Sequence, residues 1–224
     1  MVARLVRPFQ LEAHGDWLVA TTQQPYAFLS WAIVNGGWRQ TSQLACLYLQ
    51  PNVLADVADP AQWLKAKMHA EGLAAAVGLM TSRRRHAWVE AEAHDEDCAA
   101  WAFATLGCSN ALRVGDPSGV APPAGTINLV VYLSQPVTTE GALEILCLLS
   151  EAKSLATRES AIPSLRSGLP SSGTGTDYLA LAWPLAGERQ IYGGKHTALG
   201  AAAGRAALDA IGEGIRIWLA EQHA

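Results

Sequence analysis

Strand-like segments follow one another in adjacent pairs along this 224-residue chain, instead of alternating with helices. Three longer patterns predict helices, at residues 60–71, 139–159 and 197–221. The pattern of strands occurs in residues 4–11, 16–21, 43–49, 75–80, 86–93, 98–106, 126–133 and 178–183. Because a Rossmann-type sheet needs a helix between successive strands, such a sheet is not supported. The sequence predicts an α+β fold, with layered mixed or antiparallel sheets of about eight strands packed with three main helices.

Local signals indicate where several of these elements begin. Asp59 followed by Pro60 suits an N-cap and first helical residue. Thr138 or Thr139 caps the second helix, and a tight turn around Gly15 joins the first two strands into a hairpin. No linker or internal repeat divides the sequence, so we expect one domain over residues 1–224.

Composition narrows the class of protein. Half of the residues are apolar, 16% are charged and the net charge is −4, which suits a large core and gives no footprint for nucleic acid. No signal peptide and no membrane-length apolar stretch is present, so we expect a cytoplasmic protein without a membrane partner. The four cysteines lack metal-binding spacing and are expected to be reduced and structural, with Cys147 buried in the second helix.

The first candidate for chemistry is the loop Gly173-Thr174-Gly175-Thr176-Asp177, which leads into the last strand. Its glycines permit close backbone approach, so that consecutive N–H groups can converge on an anion or a carbonyl oxygen. Its threonines add hydroxyls and Asp177 adds a carboxylate. The alternative is an ordinary turn, because the loop matches neither a dinucleotide fingerprint nor a P-loop.

Lys153 is the second candidate, because it lies on an apolar side of the second helix. At about 100° per residue, the acidic side of that helix faces almost the opposite way. The acidic side contains Glu140, Glu144, Glu151 and Arg158, whereas the side of Lys153 contains Leu146, Leu149 and Ala156. Either Lys153 reaches to the surface or it is held beside a carboxylate partner.

Histidines give two weaker candidates. His86 and His94 flank Glu90 and Glu92 on one face of a predicted strand, which could bind a divalent metal, although a half-solvated strand is favoured. His196 precedes the last helix, where the helix dipole favours the neutral base form. A structural role for His196 is the alternative.

Six motifs, which occur in the order that is typical of the family, together resemble the adenosylcobinamide amidohydrolase family. They are Gly78-Leu79-Met80-Thr81, Ser109-Asn110-Ala111-Leu112-Arg113-Val114-Gly115-Asp116, Gly125-Thr126-Ile127-Asn128, Glu151-Ala152-Lys153, Gly173-Thr174-Gly175-Thr176-Asp177 and His196-Thr197-Ala198-Leu199-Gly200. They cover roughly residues 75–210. The chain departs from the family at Ala198, where a basic residue often stands, and the N-terminal third matches loosely around Asn35-Gly36-Gly37.

The resemblance implies a reaction and a site. Such enzymes hydrolyse the amide between a propionate side chain of the corrin ring and aminopropanol in adenosylcobinamide, giving adenosylcobyric acid for salvage or remodelling of coenzyme B12. The corrinoid is then the substrate, so no cofactor and no metal are expected. The implied catalytic residues are Asp177, Glu151, Lys153, His196 and Thr176. The implied substrate-binding residues are Asn110, Asn128, Gly173, Thr174 and Gly175.

Several alternatives stay open at this stage. Asp177, Glu151 and His196 are each candidates for the general base, and Thr176 for either a nucleophile or a hydrogen-bond donor. Trp31, Trp38 and Trp88 could line a cleft for the macrocycle, although core packing is the commoner role. The functional alternatives are an amidohydrolase of another small-molecule amide and a non-catalytic corrinoid-binding protein. The sequence also leaves the oligomeric state, including a homo-oligomer, open.

Overall fold

The paired strands join into one bent mixed sheet in the computed structural model, which describes residues 5–119 and 125–222. Within these residues the strands are β1 (Phe9–His14), β2 (Trp17–Ser30), β3 (Gly37–Tyr48), β4 (Val77–Thr81), β5 (Val89–Asp95), β6 (Cys98–Gly107), β7 (Ala111–Leu112), β8 (Thr126–Leu133), β9 (Gly173–Thr174) and β10 (Tyr178–Pro184). The helices are α1 (Pro60–Ala70), α2 (Thr139–Glu159) and α3 (Ala198–Gln222). The predicted α+β class is confirmed.

The large sheet has the strand order β4-β3-β2-β10-β8-β6-β5, and β1 pairs with β2 outside this path. In a flat sheet, the four steps from β4 to β8 would separate these strands by about 19 Å. Instead, Asn128 Nδ2 on β8 donates to the Met80 carbonyl oxygen on β4 at 2.8 Å. The sheet therefore bends back on itself, and a register shift in β2 between Thr21 and Tyr26 supplies the irregularity.

Three apolar clusters fill the layers that this bend creates. One lies between the outer face of β6, β8 and β10 and the helices α2 and α3, and another lies between the two halves of the bent sheet. The third packs α1 against the far face of β3, where Leu64 and Met68 meet Ala45 and Leu47. The order of layers is therefore helices, sheet, sheet, helix.

The cap signals are confirmed. Asp59 accepts a hydrogen bond from Gln62 N at 3.0 Å with Pro60 in the first turn, and Thr138 accepts one from Gly141 N at 3.2 Å. The hairpin also forms as expected, with Gly15 at φ +57°. Among the described residues, no helix is long and apolar enough to cross a bilayer.

Other expectations need correction. Cys147 is exposed and not buried, because its side of α2 faces solvent. The strand predicted from His86 begins only at Val89, since His86 takes a positive φ of 64° that belongs to a turn. β2 extends to Ser30 through the polar stretch around Pro25, which lies at the register shift where a proline is tolerated.

Candidate active site

The Gly173–Asp177 loop lies at the end of the sheet where β8 and β10 begin side by side. Tyr178, the residue after the loop, is the register partner of Asn128. At its other end the loop is fixed by the small sheet, in which Thr174 on β9 pairs with Ala111 on β7. Because both ends are held by strand pairing, the loop has a defined conformation next to the C-terminal half of α2.

A buried ion pair joins this loop to α2. Lys153 Nζ contacts Asp177 Oδ2, and the two side chains are only 12% and 10% exposed. Lys153 therefore has the carboxylate partner that was one of its two predicted environments. Ionised groups this far from solvent are tolerated when they are paired, so the structure depends on both members.

Asp177 collects further donors from its own loop. Thr174 N donates to the two carboxylate oxygens at 3.0 and 3.1 Å. The Thr174 hydroxyl donates to Asp177 Oδ1 at 2.6 Å. One carboxylate thus receives an ammonium, a backbone amide and a hydroxyl, and the hydroxyl and the ammonium meet different oxygens.

Gly173 is required by this arrangement. A Cβ atom at this position would lie 2.2 Å from Asp177 Oδ2 and 2.6 Å from Lys153 Nζ, and the residue has φ +154°. Both distances are far below van der Waals contact. Any side chain at Gly173 would therefore separate the buried ion pair or displace the strand β9.

The loop amides are engaged within the protein. Besides Thr174 N on Asp177, Gly175 N donates to the Asn110 carbonyl oxygen at 3.2 Å, and Thr176 N lies 3.4 Å from the Thr174 hydroxyl oxygen. The expectation that consecutive N–H groups converge on an external anion is not met in this conformation. The anion that the loop does hold is its own Asp177 carboxylate.

Thr176 is placed differently from Thr174. It is exposed, and its hydroxyl donates to the Gly125 carbonyl oxygen at 2.9 Å. Its own carbonyl oxygen accepts from the Thr126 hydroxyl. Thr176 therefore fixes the loop to the start of β8, and Thr174 provides the hydroxyl that contacts the carboxylate.

The two predicted substrate-binding asparagines lie beneath the loop. Asn110 Nδ2 donates to the Gly125 carbonyl oxygen at 2.6 Å. Asn128 Nδ2 donates to Thr105 Oγ1 at 3.0 Å in addition to the Met80 carbonyl, which ties the halves of the sheet together. The Oδ1 atoms of both are buried without a hydrogen-bond partner among the described residues. The side-chain NH₂ groups of the two asparagines thus fix the main chain at Gly125 and at Met80.

Glu151 lies away from the buried ion pair. It is two residues from Lys153, and a two-residue step turns about 200° around a helix axis, so the two side chains point to opposite sides of α2. Glu151 is exposed and forms an ion pair with Lys195 at the surface. The structure does not bring it to Asp177.

In the described part of the chain, no hydrogen bond or ion pair joins His196 to the Lys153–Asp177 pair. His196 is exposed and makes no hydrogen bond within residues 5–119 and 125–222. The segment before it contacts α2 twice, because Gly193 N donates to Glu144 at 2.7 Å and Lys195 pairs with Glu151. Both carboxylates lie on the acidic side of α2, which faces away from Lys153.

Two further residues lie next to the pair, and the sequence did not predict a contact of either with Asp177. Trp31 Nε1 donates to the Asp177 carbonyl oxygen at 2.8 Å although the residue is 45% exposed. Cys108 is buried at the end of β6. Burial, and then the nearby Asp177 charge, raise its pKa to about 12, whereas Arg83 opposes the shift. Cys108 is therefore within electrostatic range of both Asp177 and Arg83, and as a neutral thiol it is inert.

The geometry offers a hydroxyl, a carboxylate and an ammonium in one hydrogen-bonded series. A carboxylate that already accepts from a hydroxyl can take its proton, and a nearby ammonium can stabilise negative charge on an oxygen. The arrangement of these three groups is therefore suited to acyl transfer by side chains. Among the described residues, no group of three or more His, Cys, Asp or Glu side chains is arranged to hold a metal ion.

A family model described as adenosylcobinamide amidohydrolase matches residues 4–223, nearly the whole chain. No curated protein matches the sequence. Among solved structures, the PH0078 protein from Pyrococcus horikoshii OT3 is 9% identical, with a TM-score of 0.49 over 96% of this chain and 83% of that chain. The L-aminopeptidase D-Ala-esterase/amidase from Ochrobactrum anthropi, described as a variant of the Ntn hydrolase fold, is 11% identical, with a TM-score of 0.42 over 94% and 82%.

Proposed function

This chain belongs to the adenosylcobinamide amidohydrolase family, and on that premise we propose that it hydrolyses the amide linking aminopropanol to the corrin ring of adenosylcobinamide. The product is adenosylcobyric acid, and the role is salvage or remodelling of coenzyme B12 in the cytoplasm. The corrinoid is the substrate and not a resident cofactor. The single observation that supports the chemistry is the series formed by Thr174, Asp177 and Lys153.

In the proposed first step, Asp177 accepts the proton of the Thr174 hydroxyl while that oxygen attacks the amide carbon. The carbonyl oxygen becomes an oxyanion, and the Lys153 ammonium beside Asp177 stabilises it. The C–N bond then breaks, and the proton held by Asp177 passes to the nitrogen of the departing aminopropanol. This step leaves the corrin side chain as an ester of Thr174.

In the second step, a water molecule attacks the ester carbon and gives its proton to Asp177. When the ester C–O bond breaks, that proton returns to the Thr174 oxygen and the carboxylic acid is released. Both half-reactions use Asp177 as the base and Lys153 as the oxyanion stabiliser, as expected when one set of side chains catalyses covalent acyl transfer. Trp31 contributes by fixing the main chain at Asp177.

Incubation of the purified protein with adenosylcobinamide, followed by mass spectrometry, tests the function directly. We expect adenosylcobyric acid and free aminopropanol from the wild type. Simple N-alkyl propanamides serve as the comparison. Equal or faster hydrolysis of these amides would assign the protein to another small-molecule amidohydrolase. Corrinoid binding without product would make it a non-catalytic corrinoid-binding protein.

The covalent step has its own test. Acid-quenched wild type should carry a cobyric acid ester, detected by intact mass, whereas Thr174→Ala should carry none and lose activity about 10³-fold. Thr176→Ala is the matched variant two residues away, and it should retain the ester with a smaller loss. No adduct in the wild type, together with an active Thr174→Ala, would show that water attacks the amide directly.

A further inference from the structure

An open cleft of about 1170 Å³ lies at the same end of the sheet as the buried ion pair. It is lined by the ends of β3, β4 and β6, the loop 49–55 and the C-terminal end of α3, with Tyr48, Arg83, Ser109 and Trp218 among the lining residues. Sites for drug-sized ligands usually measure about 300–1,000 Å³. The cleft therefore has room for a ligand larger than a simple amide.

Tyr48 lines this cleft and has an unsatisfied polar group. The residue is 3% exposed, and its hydroxyl has no hydrogen-bond partner among the described residues. Burial raises the pKa of Tyr48, so the phenol remains a donor at neutral pH. Arg83 Nε, in the neighbouring side chain, is a second buried donor without a partner. Buried donors without partners are rare, and these two lack an acceptor among the described residues, so that a ligand could supply one.

Three arginines of the cleft share two carboxylates. Arg83 and Arg84 both pair with Glu221, at 2.7 and 2.6 Å, and Arg85 pairs with Asp16. The three pairs therefore leave one positive charge in excess, beside hydrogen-bond donors and apolar surface. Such a surface suits a ligand rich in carbonyl oxygens, which can accept hydrogen bonds from these donors.

The segment 107–110 connects the cleft to the candidate active site. Gly107 and Ser109 line the cleft. The carbonyl oxygen of the next residue, Asn110, accepts a hydrogen bond from Gly175 N in the Gly173–Asp177 loop at 3.2 Å. With about 3.8 Å between successive Cα atoms, Ser109 is within roughly 10 Å of that loop. A ligand seated in the cleft could therefore present a side chain to Thr174.

We propose that this cleft receives the corrin macrocycle of the substrate, and that Tyr48 is a positioning residue whose hydroxyl donates to an amide carbonyl on the rim of the ring. The proposal rests on the proposed function and names the part of the molecule that would hold the bulk of its substrate. Adenosylcobinamide has primary amide side chains around its ring, so it supplies the carbonyl acceptors that Tyr48 and Arg83 lack.

Tyr48→Phe tests the proposal, because it removes only the unpaired hydroxyl. Tyr132→Phe is the matched control, since its hydroxyl is likewise buried and without a partner among the described residues, but Tyr132 is not one of the residues that line the cleft. Dissociation constants for dicyanocobinamide, measured by spectroscopic titration, and KM and kcat for adenosylcobinamide are compared in both. Losing one hydrogen bond should raise Kd and KM about fivefold in Tyr48→Phe and leave kcat within twofold. Neither variant should lose thermal stability.

A second variant tests the volume of the cleft. Ser82 is exposed and lines the cleft without belonging to the catalytic residues, so Ser82→Trp should weaken dicyanocobinamide binding more than tenfold by occupying it. Hydrolysis by the wild type with unchanged binding in Tyr48→Phe and Ser82→Trp would overturn the cleft assignment and leave the proposed function intact. Weakened binding in both variants, with no hydrolysis by the wild type, would support the cleft and overturn the proposed function.

Discussion

Neutralising the two members of the buried ion pair, singly and together, separates catalysis from scaffolding. Asp177→Asn keeps the size of the side chain and an acceptor for Thr174 N, but it leaves the Lys153 ammonium without its carboxylate. Lys153→Met removes the ammonium and keeps most of the aliphatic chain. The double variant contains neither charge, so no buried group is left unpaired.

The magnitudes follow from burial. Removing one member of a buried pair costs about 3–5 kcal/mol, and because both side chains keep some exposure, at 12% and 10%, we expect about 3 kcal/mol for each single variant. For a chain of 224 residues, that corresponds to a Tm lowered by about 6–12 °C. In the double variant the two losses of unfolding free energy should not add. We expect the double variant to be about 2 kcal/mol more stable than the sum of the two single losses predicts.

Activity should behave differently from stability. Loss of a positioned general base lowers the rate by about 10²–10⁴-fold, so kcat should fall by that factor in Asp177→Asn. Residues that act as a unit do not give additive losses, and the double variant should be no more active than the weaker single variant. Thermal unfolding and steady-state hydrolysis of adenosylcobinamide measure the two quantities. A double variant that regains both stability and kcat, or an Asp177→Asn variant within a few-fold of the wild type, would refute the catalytic assignment.

Further predictions concern neighbouring features. Gly173→Ala should lower kcat at least tenfold, since its Cβ would enter the buried ion pair; an active, stable variant would contradict the packing argument. Glu151→Gln should leave kcat within twofold, as its partner is Lys195 at the surface, and a large loss would return Glu151 to the active site. Activity should survive EDTA, and loss with rescue by one divalent ion would overturn the metal-free chemistry. With a thiol reagent at pH 8, Cys147 alone should react in the native state, because burial raises the pKa of the other three cysteines. Those values are about 12 for Cys46, about 11 for Cys98 and about 12 for Cys108. Raised folded-state values also mean that the stabilisation by these neutral thiols is complete below about pH 8.5 and is lost as the pH rises towards 11–12; unfolding curves at pH 7 and pH 10.5 that coincide would contradict this.

Local interactions made much of the fold predictable from the sequence. The N-cap at Asp59 and the cap at Thr138 depend on residues a few positions away, and the strand predicted over residues 126–133 matches β8 over its full length. The missing alternation of strands with helices was enough to exclude a Rossmann-type sheet. Order along the chain also carried the family resemblance, which the family model confirms.

The site could be predicted only in part, because a helical period gives a direction but not a partner. It placed Lys153 and Glu151 on opposite sides of α2, yet nothing in the sequence stated which side would meet the Gly173–Asp177 loop. The pairing of β10 with β8 decides this, because it places Asp177 next to the side of α2 that contains Lys153. The same contact selected Thr174 over Thr176 as the hydroxyl on the carboxylate.

What the sequence by itself determined is the set of elements, their caps and the family, all of which follow from neighbours within a few residues or from motif order. What only the tertiary structure decided is which distant groups share an environment. The bend of the sheet joins Asn128 to Met80, and Cys108, directly after β6, comes within electrostatic range of both Asp177 and Arg83. Electrostatic and hydrogen-bond energies depend on distances of a few ångströms between residues far apart in the chain, and those distances exist only after the layers have packed.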